Sequence, residues 1–413
     1  MTLSTFNRTR RGLLVIALLG ATLLTGRILV RTVVTPPQWD FQALWMYGMV
    51  ADSGQNPYLP GPYQASVEPG PLVEGFQEEV LNVGAVYPPP TLLLFGTIGR
   101  LPLRTAIFPW MIVQTLAFLG MVVLLWRNFL PQSGGEGLAL VFTMALLLPA
   151  TIATFGHGQV NFLAVLCVLA AMQARNRFSG GVYLVGAAIL KLLYGALWLY
   201  PLLRWRRLPV IGIALASVIA MAASAVVFGR AVVATYLYDN PVTHRMPSYY
   251  FSTYVNQSLL GESLRLAPYH MPAFGPPMRN FLYLISAAIV GFITVWLVVR
   301  LPRTQANEDT AFNLLILAGM LIYPWTISNY FVLLLVPMGF LWARRSESPI
   351  GFGWTLFLIS AVYPITYFAN GSYAIVATLL LWTAIVWIAA LALKDSSRNV
   401  APDSVKQPTL AIS

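Results

Sequence analysis

The chain has 413 residues, 58% of them hydrophobic and only 9% charged, with a mean hydropathy of +0.70. A soluble domain of this size does not keep so little charge, so the composition excludes a soluble globular enzyme and makes this an integral membrane protein. The net charge of +11 would point to nucleic acid in a soluble chain; here the arginines flank hydrophobic spans, as at Arg204, Arg206, Arg207, Arg344 and Arg345, where they set orientation and contact membrane lipids, and nucleic acid is not an expected partner.

Arg8, Arg10 and Arg11 precede an apolar run from Leu13 to Leu24, as in a secretory signal. The run continues past Thr25 to Val34 without a small-residue cleavage site, so a retained first helix over 12–34 is predicted, with a cytoplasmic N-terminus. Arg27 and Arg31, one turn apart, either snorkel to headgroups or meet a lipid phosphate. Further spans are predicted near 88–101, 105–126, 137–153, 158–174, 180–203, 208–228, 277–300, 311–325, 327–343, 350–368 and 371–393. The expected fold is an all-α polytopic bundle of about 10 to 12 spans, with 88–101 and 180–203 readable as broken or re-entrant helices. Residues 1–393 form one integral membrane domain, and 394–413 a disordered cytoplasmic tail. This count puts two large loops, 35–88 and 229–276, on the outer side. Arg127, Arg175 and Arg177 also fall outside, against the charge rule. Cys167 is a lone cysteine in an apolar run and supports neither a disulfide nor a cysteine metal site.

The first outer loop carries Asp40, Asp52, Glu68, Glu74, Glu78 and Glu79 and no Lys or Arg. Phe41, Leu44, Trp45 and Gly48 recur at helical spacing and predict a short amphipathic helix in the membrane interface. Asp40 at its head is either a cap for that helix or a working carboxylate; the two roles are compatible. Gly54, Asn56 and Pro57 end the helix ahead of Tyr58, and the acidic stretch up to Asn82 reads as a solvated surface or lid. Tyr87-Pro88-Pro89-Pro90 then fixes an extended chain before the next span.

Between two later spans, Phe155-Gly-His-Gly-Gln-Val-Asn161 concentrates His157, Gln159 and Asn161, whose side chains suit sugar hydroxyls or a phosphate, unless the segment is a plain hairpin turn. A single histidine without neighbouring carboxylates is a poor metal ligand set, and no histidine-based metal site is predicted. Lys191 is the only lysine outside the tail and lies in an apolar run. Insertion there costs about 2.5 to 3.5 kcal/mol, so it either faces a polar cavity, where it would meet a phosphate, or snorkels to an interface. In the second outer loop Asn256, Gln257 and Arg265 stand among Tyr236, Tyr238, His244, Arg245, Tyr249, Tyr250, Tyr254, Tyr269 and His270, a composition that serves either a sugar surface or an aromatic belt. Tyr323-Pro324-Trp325, Asn329-Tyr330, Tyr363-Pro364 and Asn370-Gly371 recur at span ends, as a lipid-donor groove lining or as kinks and anchors.

The order of these pieces resembles the family 87 glycosyltransferases: an Asp after the first span (Asp40), G-x-N-P-Y (Gly54 to Tyr58), Y-P-P (Tyr87 to Pro89), G-Q-x-N (Gly158 to Asn161), a lysine in a following helix (Lys191) and N-Q-S (Asn256 to Ser258). The resemblance runs from the first span to about residue 270 and implies a GT-C-like membrane enzyme. It further implies a polyprenyl-phosphate sugar donor as co-substrate, with mannose as the hexose and a glycolipid or glycan as acceptor. Asp40 would be the general base and Tyr58, Tyr87, His157, Gln159, Asn161, Lys191, Asn256, Gln257 and Arg265 substrate-binding residues. The implied location is the plasma membrane, with the active site on the outer side and no cofactor beyond the donor. The chemistry needs a carboxylate to take the acceptor proton and a cation for the leaving phosphate. A multi-span transporter or a non-catalytic lipid-binding protein is the alternative; no internal repeat favours a transporter, and no second carboxylate is spaced for a glycosidase.

Overall fold

A computed structural model describes residues 39–59, 83–239, 251–253, 255–270, 276–344 and 375–399, with scattered helical positions between 15 and 30. Most of the predicted first span, including Arg31, lies outside the described residues. So do the acidic stretch 60–82, His244, Arg245, Tyr249, Tyr250, Tyr254, the predicted span 350–368, Tyr363-Pro364, Asn370-Gly371 and residues 400–413.

Every named element is helical. In chain order they are α1 (Trp39–Asp52), α2 (Pro89–Gly99), α3 (Leu103–Phe129), α4 (Gly134–Leu147), α5 (Pro149–His157), α6 (Asn161–Gln173), α7 (Phe178–Leu190), α8 (Leu199–Leu203), α9 (Arg207–Phe228), α10 (Arg230–Tyr238), α11 (Leu259–His270), α12 (Pro276–Arg300), α13 (Gln305–Ile322), α14 (Leu335–Ala343) and α15 (Ile375–Asn399). Short 3-10 turns stand at Pro131–Ser133, Leu192–Trp198 and Ser328–Leu334. Among the described residues the single β feature is an antiparallel bridge between Asn256 and Ile327.

Among the described residues, four stretches are long and apolar enough to cross a membrane: Leu103–Phe129, Arg207–Phe228, Met278–Arg300 and Ile375–Ser396. A fifth arises if α4 and α5, bent by 65°, count as one broken span. Their outer faces are apolar at helical spacing, with Phe108, Ile112, Leu116 and Leu119 exposed on α3 and Phe281, Leu284, Ile285 and Phe292 on α12. Exposed apolar stripes of this length belong against lipid. α13 is the interior counterpart, with every residue from Thr310 to Leu321 buried.

Several predicted spans are short or broken, among them 88–101 and 180–203, which the sequence also allowed as broken or re-entrant. α2 covers only Pro89–Gly99, about 16 Å of helix and half a bilayer core. The 137–153 span breaks at Leu148, held extended because Pro149 follows. The 180–203 span breaks at Lys191, also extended at φ −151° and ψ 117°. The 327–343 span starts as a 3-10 turn. α15 continues past Lys394 to Asn399, into the predicted tail.

The predicted short helix is present as α1, with Phe41, Gln42, Leu44, Met46, Tyr47 and Val50 all buried against the rest of the protein. The reason is a close crossing with α2. A Cβ on Gly48 would stand 2.0 Å from the Phe95 carbonyl oxygen, and one on Gly99 2.5 Å from the Met49 nitrogen. Two glycines let the backbones touch, and the bulky residues of α1 are drawn inside.

Away from α1, a buried ion cluster joins the chain on both sides of α12. The Arg204 guanidinium, 2% exposed, donates to Glu308 at 2.5 Å and to the carbonyls of Val298 and Leu301 at 2.9 and 2.8 Å. Tyr200 Oη donates to Glu308 at 2.5 Å, and Arg206 Nη2 also donates to Glu308, at 3.0 Å. Arg175 pairs with Asp309 beside it.

Candidate active site

Asp40 sits in the first turn of α1, which begins at Trp39. A first-turn carboxylate is favoured by the helix dipole. Its Oδ2 lies 3.4 Å from His157 Nδ1, and the two side chains are 30% and 45% exposed, so the pair opens at one side. The turn is seated by ring packing: Phe41 stacks on Trp110 at 5.6 Å and 14°, and Trp110 Nε1 donates to the Gly158 carbonyl at 2.9 Å. One aromatic pair thereby brings Asp40 to the G-H-G-Q-V-N segment.

That segment is built around Gly158, the left-handed cap of α5 at φ +68°. Gln159 follows, 1% exposed, its carbonyl accepting from Gln114 Nε2 at 3.1 Å. Asn161 opens α6 and donates to Thr154 Oγ1 at 3.2 Å and to the Asn329 carbonyl at 2.8 Å, tying the segment to the 3-10 turn Ser328–Leu334.

Lys191, 6% exposed, occupies the break after α7. Its Nζ donates to Tyr87 Oη at 2.8 Å and Tyr330 Oη at 3.4 Å and lies 4.9 and 4.6 Å from the centres of their rings. Two phenols thus hold the ammonium by hydrogen bonds and by ring quadrupoles. The supports of this clamp come from the other motifs. Tyr58 Oη donates to the Tyr87 carbonyl at 2.8 Å, and Asn56 Oδ1 accepts from the Tyr58 amide at 3.1 Å in a tight turn. Thr91 Oγ1 donates to the Ile189 carbonyl at 2.6 Å, pinning the end of α7 to the start of α2.

Asp40 and Lys191 are electrostatic neighbours. Burial pushes the Asp40 carboxyl up, but the hydrogen bond and charge of His157, the Lys191 ammonium and the Gln159 amide outweigh it and hold the group below its ordinary value of 3.8. Asp40, Tyr87, His157, Gln159 and Lys191 therefore form one cluster, with Tyr58 and Asn161 behind it.

Asn256, Gln257 and Arg265 stand differently. Asn256 Nδ2 donates to the carbonyls of Phe251 and Pro324, both at 2.9 Å, the Gln257 amide donates to the Thr326 carbonyl at 2.6 Å, and Gln257 Oε1 accepts from the Ile375 amide at 2.8 Å. Arg265 donates to Glu262 at 2.6 Å and to the Thr253 carbonyl. These groups hold the stretch around Asn256 to Arg265 against 323–327, the segment that leads to Tyr330, and against α15. Tyr330 and Trp110 are site-forming residues that no motif marked; Asn329-Tyr330 stood out in sequence only as one of several polar span ends. Among the described residues no three of His, Cys, Asp and Glu gather closely enough to hold a metal ion.

Residues 85–324 match glycosyltransferase family 87, more than half of the chain. The chain belongs to glycosyltransferase family 87. This multi-pass membrane glycosyltransferase is 25% identical over 332 residues, 74% of each chain, to the polyprenol-phosphate-mannose-dependent alpha-(1-2)-phosphatidylinositol pentamannoside mannosyltransferase of Mycolicibacterium smegmatis. No solved structure matches it. The family 87 match takes in Tyr87, the His157 to Asn161 segment, Lys191, Asn256, Gln257 and Arg265, and begins after Asp40 and Tyr58.

Proposed function

We propose that this family 87 glycosyltransferase moves a hexose, mannose as in its relative's name, from polyprenyl phosphate to a glycan or glycolipid acceptor, with Asp40 as general base. The observation that carries the reading is the pairing, in one cluster, of an ionised carboxylate with a buried ammonium held only by phenols. Lys191 makes no ion pair among the described residues, so its charge is available for a phosphate. In the transfer, the acceptor O–H gives its proton to Asp40 and its oxygen bonds to the anomeric carbon. The bond from that carbon to the phosphate oxygen breaks, and polyprenyl phosphate leaves with Lys191 balancing the charge. A single displacement inverts the anomeric centre.

The prenyl chain has a place to lie. An apolar cavity of about 310 Å³ begins at Leu192 and Leu193, next to Lys191, and runs between α12 and α13 past Gly291, Gly319 and Tyr323. Tyr323 neighbours both Tyr87 and Tyr330, so the cavity adjoins the lysine clamp. In this reading hydropathy gives about 10 to 12 spans in the plasma membrane, and the arginine bias a cytoplasmic N-terminus with this cluster facing outward. Purified protein given polyprenyl-phosphate mannose and a panel of glycolipids should transfer the sugar. Asp40→Asn should reduce turnover by about 10²- to 10⁴-fold, the range for a lost general base. Turnover equal to wild type would sink the base assignment.

A further inference from the structure

The apolar cavity beside Lys191 is limited in length. At its near end Tyr283 Oη donates to the Ile322 carbonyl at 2.8 Å, tying α12 to the end of α13. Its far end lies at Leu199, Val295 and Leu315. From Leu192 to Leu199 the 3-10 turn rises about 14 Å, and from Ile322 back to Leu315 α13 covers about 10 Å. Between these ends Gly291 and Gly319 leave the walls of α12 and α13 bare, and a Cβ on Gly319 would stand 3.0 Å from the Ala196 Cβ. Thr294 accepts from Trp382 Nε1 at 3.0 Å, so its hydroxyl and that of Tyr283 already have partners.

An isoprene unit adds four carbon–carbon bonds of about 1.5 Å to a chain, roughly 5 Å when extended, so the cavity holds about two to three units end to end. Volume gives the same answer. A cavity of roughly 150 Å³ takes one benzene ring, and about 310 Å³ therefore takes about a dozen carbons, again two to three units. Past the far end the chain has no wall to follow. Leu199 and Val295 are 43% and 38% exposed on the apolar outer face, so the remaining chain runs into the bilayer, which is as apolar as the protein and holds any length equally well. We propose that this cavity reads about the first three isoprene units beside the phosphate and nothing beyond, so that the enzyme selects its donor by the proximal prenyl stub and is indifferent to chain length past it. The inference rests on the polyprenyl-phosphate donor reading.

The test uses the full-length protein in detergent, alkyl mannoside acceptors, and mannosyl phosphates of prenyl alcohols with one, two, three, four and ten isoprene units. Two variants narrow the cavity at different depths. Ala196→Leu fills the space over Gly319 at its middle, and Val295→Trp blocks its far end; both positions are partly exposed, so neither change overpacks a sealed core. A given donor enters the micelles equally whichever protein is present, so the ratio of variant to wild-type kcat/KM at each length isolates the cavity. That ratio should stay near unity for the shortest donor in both variants. It should drop on the order of 10-fold from the second unit in Ala196→Leu and from the third in Val295→Trp, then stay level from the fourth unit to the tenth. Either variant decides alone if the other does not fold, because each has its own onset. Onset at one common length, ratios that are flat from the shortest donor, or a decline that continues beyond the fourth unit each overturn the proposal. So does a ratio that follows the alkyl length of the acceptor and not the prenyl length, which would seat the acceptor in the cavity. Prenyl-dependent transfer by wild type with flat ratios removes the length readout alone; transfer from none of the prenyl donors removes the donor reading with it.

Discussion

At the residue scale the site depends on two charges kept in unlike settings. Asp40 is partly open and surrounded by groups that favour its ionised form, so its carboxyl stays below 3.8. A base must be ionised to act, so activity tied to Asp40 should persist through mildly acid pH and fall only as pH drops through that lowered value. The same depression makes ionised Asp40 stabilising above its ordinary value, a contribution lost as pH falls. His157→Gln removes a hydrogen bond and a charge; the acidic limb of kcat/KM should then move upward toward the ordinary aspartate range, as a pH-rate profile would read. Lys191 is the opposite case, an ammonium enclosed by two rings. Lys191→Met should lower kcat/KM by about 10²- to 10³-fold, the loss typical of a removed electrostatic stabiliser. Lys191→Arg should not restore it, because a planar guanidinium is a different shape from the point charge the tyrosines enclose; single-turnover kinetics on both variants would tell.

Elements place these residues by breaking at particular points. α7 stops at Lys191 and α5 stops at Gly158, and each break turns a side chain or an amide toward Asp40. Gly158 holds φ +68°, where an alanine side chain would crowd the backbone by about 1 to 2 kcal/mol. Gly158→Ala should therefore lower the thermal midpoint modestly and reduce transfer more than stability, since Gln159 and His157 flank the turn. A matched loss of both would assign Gly158 to folding alone. α1 has a helical pattern that the sequence shows, but its burial does not follow from that pattern: the Gly48 and Gly99 crossing packs it tightly on α2. The polar cluster Asp40, His157, Gln159 and Lys191 was legible because polar side chains in apolar surroundings stand out in sequence. Tyr330 and Trp110 were not, because an aromatic residue in a membrane protein is common and only its partner gives it a role.

Across the whole molecule, the proposed catalytic cluster and the Arg204–Glu308 cluster are joined by one short stretch. The 3-10 turn and α8 between Lys191 and Arg204 span roughly 20 Å by their rises. Glu308 is 4% exposed and meets Arg204, Arg206 and Tyr200, so Glu308→Gln leaves a buried guanidinium without its counter-charge. Breaking such a pair costs about 3 to 5 kcal/mol. The variant should melt at lower temperature in detergent than wild type, with kcat of the surviving folded fraction near wild type because no reacting group is touched; a thermal scan with an active-fraction titration separates the two.

Composition alone determined that this is a membrane protein, and the ordered motifs pointed to its family, because apolar length and rare polar residues are properties of the chain read in line. Which apolar stretches stay whole, that α1 is buried, and that Tyr87 and Tyr330 converge on Lys191 with Tyr58 bracing Tyr87 were decided only in three dimensions. Helix breaks and close crossings follow from what packs against each segment, and residues as far apart as Asn161 and Asn329 meet through contacts that no local pattern encodes.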